Sequence, residues 1–307
     1  MKRLYFIVNI VAGRAVVSKK LGKIIDKFTR AGYEAIVHIT QSGEDAKKCA
    51  VYACERGFDL LVVAGGDGTL NQCLQGIMSC RKRIPVGYIP AGSTNDFAKS
   101  LGIPSDQLKA ASLIVRGGPA LCDIGRLNDK YFSYIAAFGA FTEVSYETPQ
   151  MVKNLFGHAA YVFKGAAQFK NIKAKPLRIE FDDKVIEGEF IYGMITNTAS
   201  VGGILSMKDF YLNDGVFEVT LVKKPNSVTE LNNILLAPMK HDTSDKNIVF
   251  FRTDKLTVTA LSDEPFAWTR DGEYGGNSPV NTIYCKKRAV PFIVKGKSGL
   301  PFKKDKI

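Results

Sequence analysis

The stretch Val62–Gln72, VVAGGDGTLNQ, decides how this chain is read. An apolar, β-branched run enters a turn of two glycines, an aspartate, a third glycine and a threonine. An apolar helical pattern then leaves it. Glycines let the backbone come close to a ligand. A turn between a strand and a helix also aims free N–H groups outward, at the positive end of the helix dipole. Such a turn can cradle a diphosphate. It is neither the phosphate loop that ends in Gly-Lys-Ser/Thr nor the dinucleotide pattern Gly-x-Gly-x-x-Gly. Asp67 is its odd member. A carboxylate beside a phosphate repels it unless a cation stands between them, which points to Mg²⁺ held largely through water. The alternative is a tight strand-to-helix turn with Asp67 near the helix N-terminus.

Working outward, the first third of the chain alternates. LYFIVNI (Leu4–Ile10), YEAIVHIT (ending at Thr40), FDLLVVAG and IPVGYIP are strand-like. Helical spacing separates them: Val17–Ala31 with Leu21, Ile24, Ile25 and Phe28; Asp45–Arg56; TLNQCLQGIMS; and a helix opened by AGSTNDFAKSLG. Strands alternating with helices predict a parallel, doubly wound sheet. Ligands bind beyond the carboxyl ends of such strands. The polar turns NIVAGR, GGDGT and PAGSTND all fall at such ends.

After about Leu121 the pattern changes. DIGRLNDKYFSYIAAFGAF, PLRIEFDDKVIEGEFIYGMITNT, GVFEVTLVKK, NIVFFRTDKLTVTA and VNTIYCKKRAVPFIV are β-branched and aromatic, with short polar turns. They predict an antiparallel β-rich second domain, interrupted by one helical stretch at about Gln150–Lys173. The expected division is an α/β domain over 1–121 and a β-rich domain over 122–291. The basic end, 292–307, is expected to pack back on the first domain.

Composition sets the outer bounds. At 307 residues the chain has room for two domains, and 46% hydrophobic residues are ample for packed cores. The net charge of +12 favours an anionic partner. The six cysteines include no Cys-x-x-Cys pair and there are three scattered histidines, so the pattern offers no zinc site. Cysteines in apolar helical or strand patterns suit reduced core thiols, and with them a cytoplasmic protein. No signal peptide is expected from MKRLYFIVNIVAGR. The longest uncharged stretch, Phe190–Met207, is rich in Asn, Thr, Ser and Gly and is no membrane span. No nucleic-acid module is recognisable, so nucleic acid is not an expected partner.

Two further Asp-Gly pairs lie in the β-rich half: YLNDGVF with Asp214, and TRDGEYGG with Asp271 and Glu273. Asp-Gly is first a hairpin dipeptide. DGEYGG is less ordinary, because it sets two carboxylates two residues apart in a glycine-rich segment where a general base could face a ligand.

GGDGTLNQ, PAGSTNDFAKSLG, LNDGVFEV and DGEYGG, in this order and spacing, resemble the bacterial diacylglycerol kinase family of soluble lipid kinases, relatives of ceramide and sphingosine kinases. The resemblance covers essentially the whole chain. It implies an α/β nucleotide domain followed by an antiparallel β-sandwich domain, with the site in the cleft between them. It implies ATP contacts at Asn9, Thr40, the turn Gly66, Asp67, Gly68, Thr69, Leu70, Asn71 and Gln72, and Thr94. The family's usual Asn-Pro-x-Ser/Ala-Gly lacks its proline here, and Gln72 stands where the family often has Glu. Asp67 resembles the carboxylate of the catalytic Mg²⁺–water network, with Asp123 as its companion. Asp214, with the backbone carbonyls of Tyr211 and Val216, resembles a structural Mg²⁺ site. DGE supplies the proton acceptor: Glu273, with Asp271 sharing or holding that role.

The implied reaction is ATP- and Mg²⁺-dependent transfer of the γ-phosphate to a lipid hydroxyl, diacylglycerol giving phosphatidic acid. Phosphatidylglycerol, ceramide or a soluble metabolite such as NAD are the other acceptors. The segment KNLFGHAAYVFKGAAQFKNIKAK interleaves Lys153, Lys164, Lys170 and Lys173 with Leu155, Phe156, Tyr161, Phe163 and Phe169. It reads as a membrane-surface helix or as a core helix with a solvated basic face. Peripheral attachment to an anionic inner membrane face follows from the first reading, and a homodimer is left open.

Overall fold

The computed structural model describes residues 1–12, 16–139, 173–198, 210–240, 245–262, 264–296 and 301–303. The expected helix at Gln150–Lys173 lies outside them, apart from Lys173 itself. The chain divides into two compact units. One comprises Met1–Ile124, Asp209–Asp214 and Lys286–Ile307; the other comprises Gly125–Lys208 and Gly215–Cys285. The first unit takes in Asp209–Asp214, which lies within the span 122–291 expected to be β-rich, and takes up the chain again at Lys286 instead of at 292.

The first unit alternates as its apolar pattern dictates. Strand β1 (Lys2–Val8) leads to α1 (Val16–Arg30), β2 (Tyr33–Ile39), α2 (Gly43–Glu55), β3 (Leu60–Gly65), α3 (Asp67–Ser79), β4 (Val86–Pro90), α4 (Asp96–Ser100) and α5 (Gln107–Arg116). β3 and β4 are buried throughout, as strands covered on both faces must be. The strands pair in parallel in the order β4-β3-β1-β2. Their carboxyl ends are level: Val8 pairs with Ile39 and with Ala64, and Gly65 pairs with Pro90. The order reverses direction between β1 and β3, the switch point at which open α/β sheets take ligands.

Helix α5 was not foreseen. Asp106 caps it by accepting from Lys109 N at 2.9 Å and also takes Lys20 Nζ of α1 at 2.7 Å. Those two bonds, the lysine's first, hold the Asp106 carboxyl below its usual range. Late in the chain, Phe292 returns to pair with Val86 of β4 in parallel.

The second unit is antiparallel. Strand β5 (Gly118–Leu127) leads to β6 (Lys130–Phe132), β7 (Ile135–Gly139), β8 (Lys175–Phe181), β9 (Lys184–Thr196), β10 (Phe217–Lys223), α6 (Val228–Lys240), β11 (Ile248–Thr253), β12 (Lys255–Ala260), β13 (Phe266–Arg270), β14 (Glu273–Ser278) and β15 (Val280–Val294). Strands β5 and β15 each carry residues of both units. The long β9 pairs with β8 through its first half and with β7 and β10 through its second. That second half is the buried part of the strand. The core behind it is aromatic. Phe132, Phe138, Phe190, Phe217 and Trp268 are all 0–1% exposed, and the rings of Phe138 and Trp268 are 4.8 Å apart. This is the antiparallel β-sandwich that the sequence predicts. Helix α6 was also not foreseen. Its start has capping-box spacing: Ser227 Oγ accepts from Glu230 N at 3.1 Å, while Glu230 reaches one residue further back and accepts from Asn226 N at 2.7 Å. None of the six cysteines is in a disulfide.

α2 and α3 pack closely because Gly76 of α3 has no side chain. A Cβ there would collide with the Lys47 carbonyl and stand 3.1 Å from the Ala50 methyl. Gly76→Ala should destabilise the first unit by about 1–3 kcal/mol, the usual cost of overpacking, and should shift the helix whose N-terminus forms the glycine turn. Urea unfolding and transfer activity measured on the same preparation check this. Wild-type stability in the variant would mean that the two helices are free to move apart.

Candidate active site

The glycine turn of the first unit is shorter than the sequence suggested. Gly66 is the N-cap of α3, and Asp67, Gly68 and Thr69 are already its first turn. Leu70 N is the donor that returns to Gly66 O, at 3.1 Å. The first turn of a helix presents its backbone N–H groups at the positive end, where an anion meets them. Asp67 is half-buried at the first helical position. Its Oδ2 lies 3.4 Å from Asp96 N. Tyr88, buried in β4, stands against it; burial first, and the Asp67 carboxylate second, push the Tyr88 hydroxyl well above its ordinary range.

Three other turns reach the same edge of the sheet. Asn9 N donates to Ala64 O at 2.8 Å, and Thr40 N donates to Val8 O at 2.9 Å. Asn9 Nδ2 donates to Thr69 Oγ1 at 3.0 Å, which ties the first turn directly to the glycine turn. Ala91 N donates to Gly65 O at 2.8 Å. The loop that follows is tied by Asn95, whose side chain accepts from Gly92 N at 2.9 Å and donates to Gly92 O at 2.7 Å. Asn95 sits in the left-handed region at φ 51°. Thr94, half-buried, lies just before it. The turns after β3 and β4 meet backbone to backbone: a Cβ on Gly92 would stand 2.7 Å from Gly66 Cα. Asn9, Thr40, residues 66–69 and the 91–95 loop thus share one edge. Asn71 and Leu70 point inward and are buried, whereas Gln72 is half-buried and lies against Gly43 of α2. The Leu70 and Asn71 side chains are thus turned into the protein, and the Leu70 N–H is already taken by Gly66 O.

Asp123 is fully buried. Its Oδ1 accepts from Arg288 N at 2.6 Å, and its N–H donates to Leu212 O at 2.7 Å. The fold thereby places it beside the loop that holds Tyr211 and Asp214. Asp214 has a side chain only 3% exposed, and its Oδ2 is 3.3 Å from Lys303 Nζ.

In the second unit the two carboxylates of DGE have separate fates. Asp271 opens the turn between β13 and β14 at φ 50°, with Gly272 at φ 83°. Its carboxylate accepts from Ser133 N at 2.6 Å, Ser133 Oγ at 2.9 Å, Tyr134 N at 3.0 Å and Ile135 N at 3.2 Å. In return Asp271 N donates to Ile135 O at 2.9 Å. A carboxylate has about four acceptor sites, and these donors take them. Asp271 is therefore a clamp between the β13–β14 turn and the 133–135 segment. Glu273 is half-buried at the first position of β14, opposite Arg270.

The fold also gathers His38, Asp45 and Cys49, whose candidate ligand atoms lie within 4.8 Å of one another. Their spacing of seven and four residues carries no zinc signature. His38 Nε2 lies 3.0 Å from Asp45 Oδ2, Gln41 N donates to that same oxygen at 2.9 Å, and Cys49 Sγ meets Oδ1 at 3.7 Å. Asp45 N also donates to the N-cap Ser42 at 3.1 Å. The cluster is thus the capping network of α2. The His38 bond, then the Gln41 bond, hold the Asp45 carboxyl below its usual range.

Removing the Asp271 carboxylate would leave three backbone N–H groups without their acceptor, at about 1–3 kcal/mol for each that stays buried and unsatisfied. Asp271→Ala should therefore lower the urea midpoint of the second unit markedly, and Asp271→Asn less so. The fluorescence of Trp268, the chain's single tryptophan, follows this unit directly. A midpoint unchanged in the alanine variant would overturn the clamp.

Comparison with known proteins bears on both units. The family model described as "Diacylglycerol kinase catalytic domain" matches residues 3–127. The model described as "YegS C-terminal NAD kinase beta sandwich-like domain" matches residues 136–295. A diacylglycerol kinase of Bacillus subtilis (strain 168) is 37% identical over 281 residues, covering 91% of this chain and 92% of its own. One from Staphylococcus carnosus (strain TM300) is 34% identical over 288 residues, covering 93% of each. A crystal structure of a diacylglycerol kinase from Bacillus anthracis str. Sterne has the same fold, with a TM-score of 0.76 at 22% identity over 96% of this chain and 97% of that one. The chain belongs to the diacylglycerol kinase family and is a kinase.

Proposed function

We propose that this kinase transfers the γ-phosphate of ATP to the hydroxyl of a membrane lipid, diacylglycerol foremost, giving phosphatidic acid. The observation that carries the reading is the glycine turn at the switch point of the sheet. There a helix N-terminus, Asn9, Thr40 and the 91–95 loop share one edge, with one half-buried carboxylate among them. The names of the relatives support the choice of lipid.

In this reading the N–H groups of residues 67–69 meet the phosphates and offset their charge as it grows during transfer. Asn9 is held by Thr69 and braces the same turn. The donor set fits Mg²⁺, which prefers oxygen ligands, keeps several waters and needs one or two protein carboxylates beside substrate phosphates. Asp67 would hold it. When bound, the ion neutralises charge on the phosphate oxygens. Glu273 accepts the proton of the lipid hydroxyl as that oxygen attacks phosphorus in line. Asp271 positions Glu273 by fixing the turn that precedes it.

The membrane part rests on charge. The chain carries 42 Lys and Arg against 30 Asp and Glu. Among the described residues no helix is long and apolar enough to cross a membrane. Contact with an anionic lipid face is then a surface matter. Each basic residue near the surface adds about 1 kcal/mol, within a screening length of about 8 Å at physiological ionic strength.

Transfer of radiolabelled phosphate to a panel of diacylglycerol, phosphatidylglycerol, ceramide and NAD tests the acceptor. Label on diacylglycerol is expected; label on NAD alone would overturn the lipid reading. With the accepted lipid, Glu273→Gln should lose kcat by roughly 10²–10⁴, the usual worth of positioned general-base help, while KM for ATP changes little. Near-normal turnover would remove Glu273 from the chemistry. Co-sedimentation with vesicles of anionic lipid should fall steeply as salt rises, and binding that ignores salt would point to apolar insertion instead.

A further inference from the structure

We infer that the buried Asp214 carboxylate is served by the chain's own Lys303 ammonium and not by a divalent metal ion. The C-terminal segment 301–303 would then act as a built-in strap for the loop around Asp214.

The loop and the segment are joined residue by residue, within the first unit. Leu212 N donates to Pro301 O at 2.7 Å. Lys303 N donates to Asn213 Oδ1 at 2.7 Å, and Asn213 Nδ2 donates back to Lys303 O at 3.1 Å. The Asn213 amide thus reads both backbone groups of Lys303, as a neighbouring strand would. Phe302 between these contacts is buried, at 5% exposure. The lysine that follows has its backbone fixed, and its side chain runs over the Tyr211 ring, with Nζ 5.1 Å from the centroid. It ends 3.3 Å from Asp214 Oδ2.

Exposure explains why this pair matters. The Asp214 side chain is 3% exposed, while that of Lys303 is 52% exposed. A buried carboxylate needs a cation or several donors close by. The lysine delivers that charge from the solvent side while keeping much of its own hydration.

The residues do not fit the structural Mg²⁺ site that the resemblance implied. Mg²⁺ requires near-octahedral oxygens at about 2.0–2.1 Å. Its one carboxylate here already faces an ammonium, and an added double charge would be repelled by it. Asp123, the companion carboxylate, already has its Oδ1 engaged by the Arg288 N–H at 2.6 Å. Arg288 Nε also points at Asn213 O, at 3.4 Å, which brings a second positive group to the loop. The inference concerns how this loop is held and does not depend on which hydroxyl the kinase phosphorylates.

Thermal unfolding of the full chain without nucleotide, in EDTA and in millimolar MgCl₂, tests it. Wild type should melt at the same temperature in both. Lys303→Met should melt roughly 2–5 °C lower, and adding Asp214→Asn to it should cost little more, because the two residues act as one pair. Lys303→Arg should melt as wild type does, which keeps the test open should the methionine variant fail to fold. A wild-type melting temperature that falls in EDTA, with the fall abolished by Asp214→Asn, would return the site to a metal. A Lys303→Met variant indistinguishable from wild type would show that the strap holds nothing.

Discussion

The first unit depends on a contact between two backbones. The turns after β3 and β4 touch through Gly66 and Gly92, and a single Cβ on Gly92 would stand 2.7 Å from Gly66 Cα. Because no side chain lies between them, the N-terminus of α3 can sit at the level of the strand ends instead of riding above them. That height is what lets Asn9 reach Thr69 and Asp96 N approach Asp67. Glycine here is a matter of space more than of torsion, since Gly66 has an ordinary extended φ of −84°. A ligand held by such a turn meets backbone donors, whose positions are set by the sheet and do not vary with side-chain rotamers. Phosphoryl transfer asks for this kind of fixed electrostatic positioning.

Asp-Gly occurs at three places that matter, and the dipeptide does something different at each. At Asp67 it begins a helix, so the carboxylate stands at a positive helix end. At Asp214 it closes a loop whose carboxylate is buried and answered by an ammonium. At Asp271 it makes a strand-to-strand turn whose carboxylate takes up the N–H groups of residues 133–135. The local sequence is nearly the same in all three. What differs is the partner, and in two of the three cases the partner is far away along the chain.

That distinction sets what could be read in advance. The alternation of the first third, the three polar turns at its strand ends and the β-rich remainder all follow from local periodicity and are legible in the sequence. Helix α5 was passed over because QLKAASLIVR is short and merges with the strand that follows. Helix α6 was missed although Ser227 and Glu230 carry a capping-box spacing that could have revealed it. The clamp at Asp271 was not legible, because it joins residues separated by up to 138 positions. Nor was the pairing of Asn213 with Lys303, 90 positions apart. Sequence spacing gave DGE two carboxylates and could not divide their roles.

The proposed division of roles rests on where each carboxylate stands in the turn. Asp271 occupies a left-handed position at φ 50°, a region that aspartate enters more readily than most residues. Its side chain folds back on the 133–135 backbone, so the turn is rigid and Gly272 can take φ 83° after it. Glu273, two residues on, begins a strand, and its backbone is held by the ladder opposite Arg270. A strand residue projects its side chain away from the ladder, and a longer side chain carries the carboxylate further from the turn. A proton acceptor must be both aimed and able to change its charge during the reaction. In the proposed reaction, fixing the aim with one carboxylate would leave the other to take the proton. A glutamate placed after an aspartate-locked turn supplies that arrangement with the fewest moving parts.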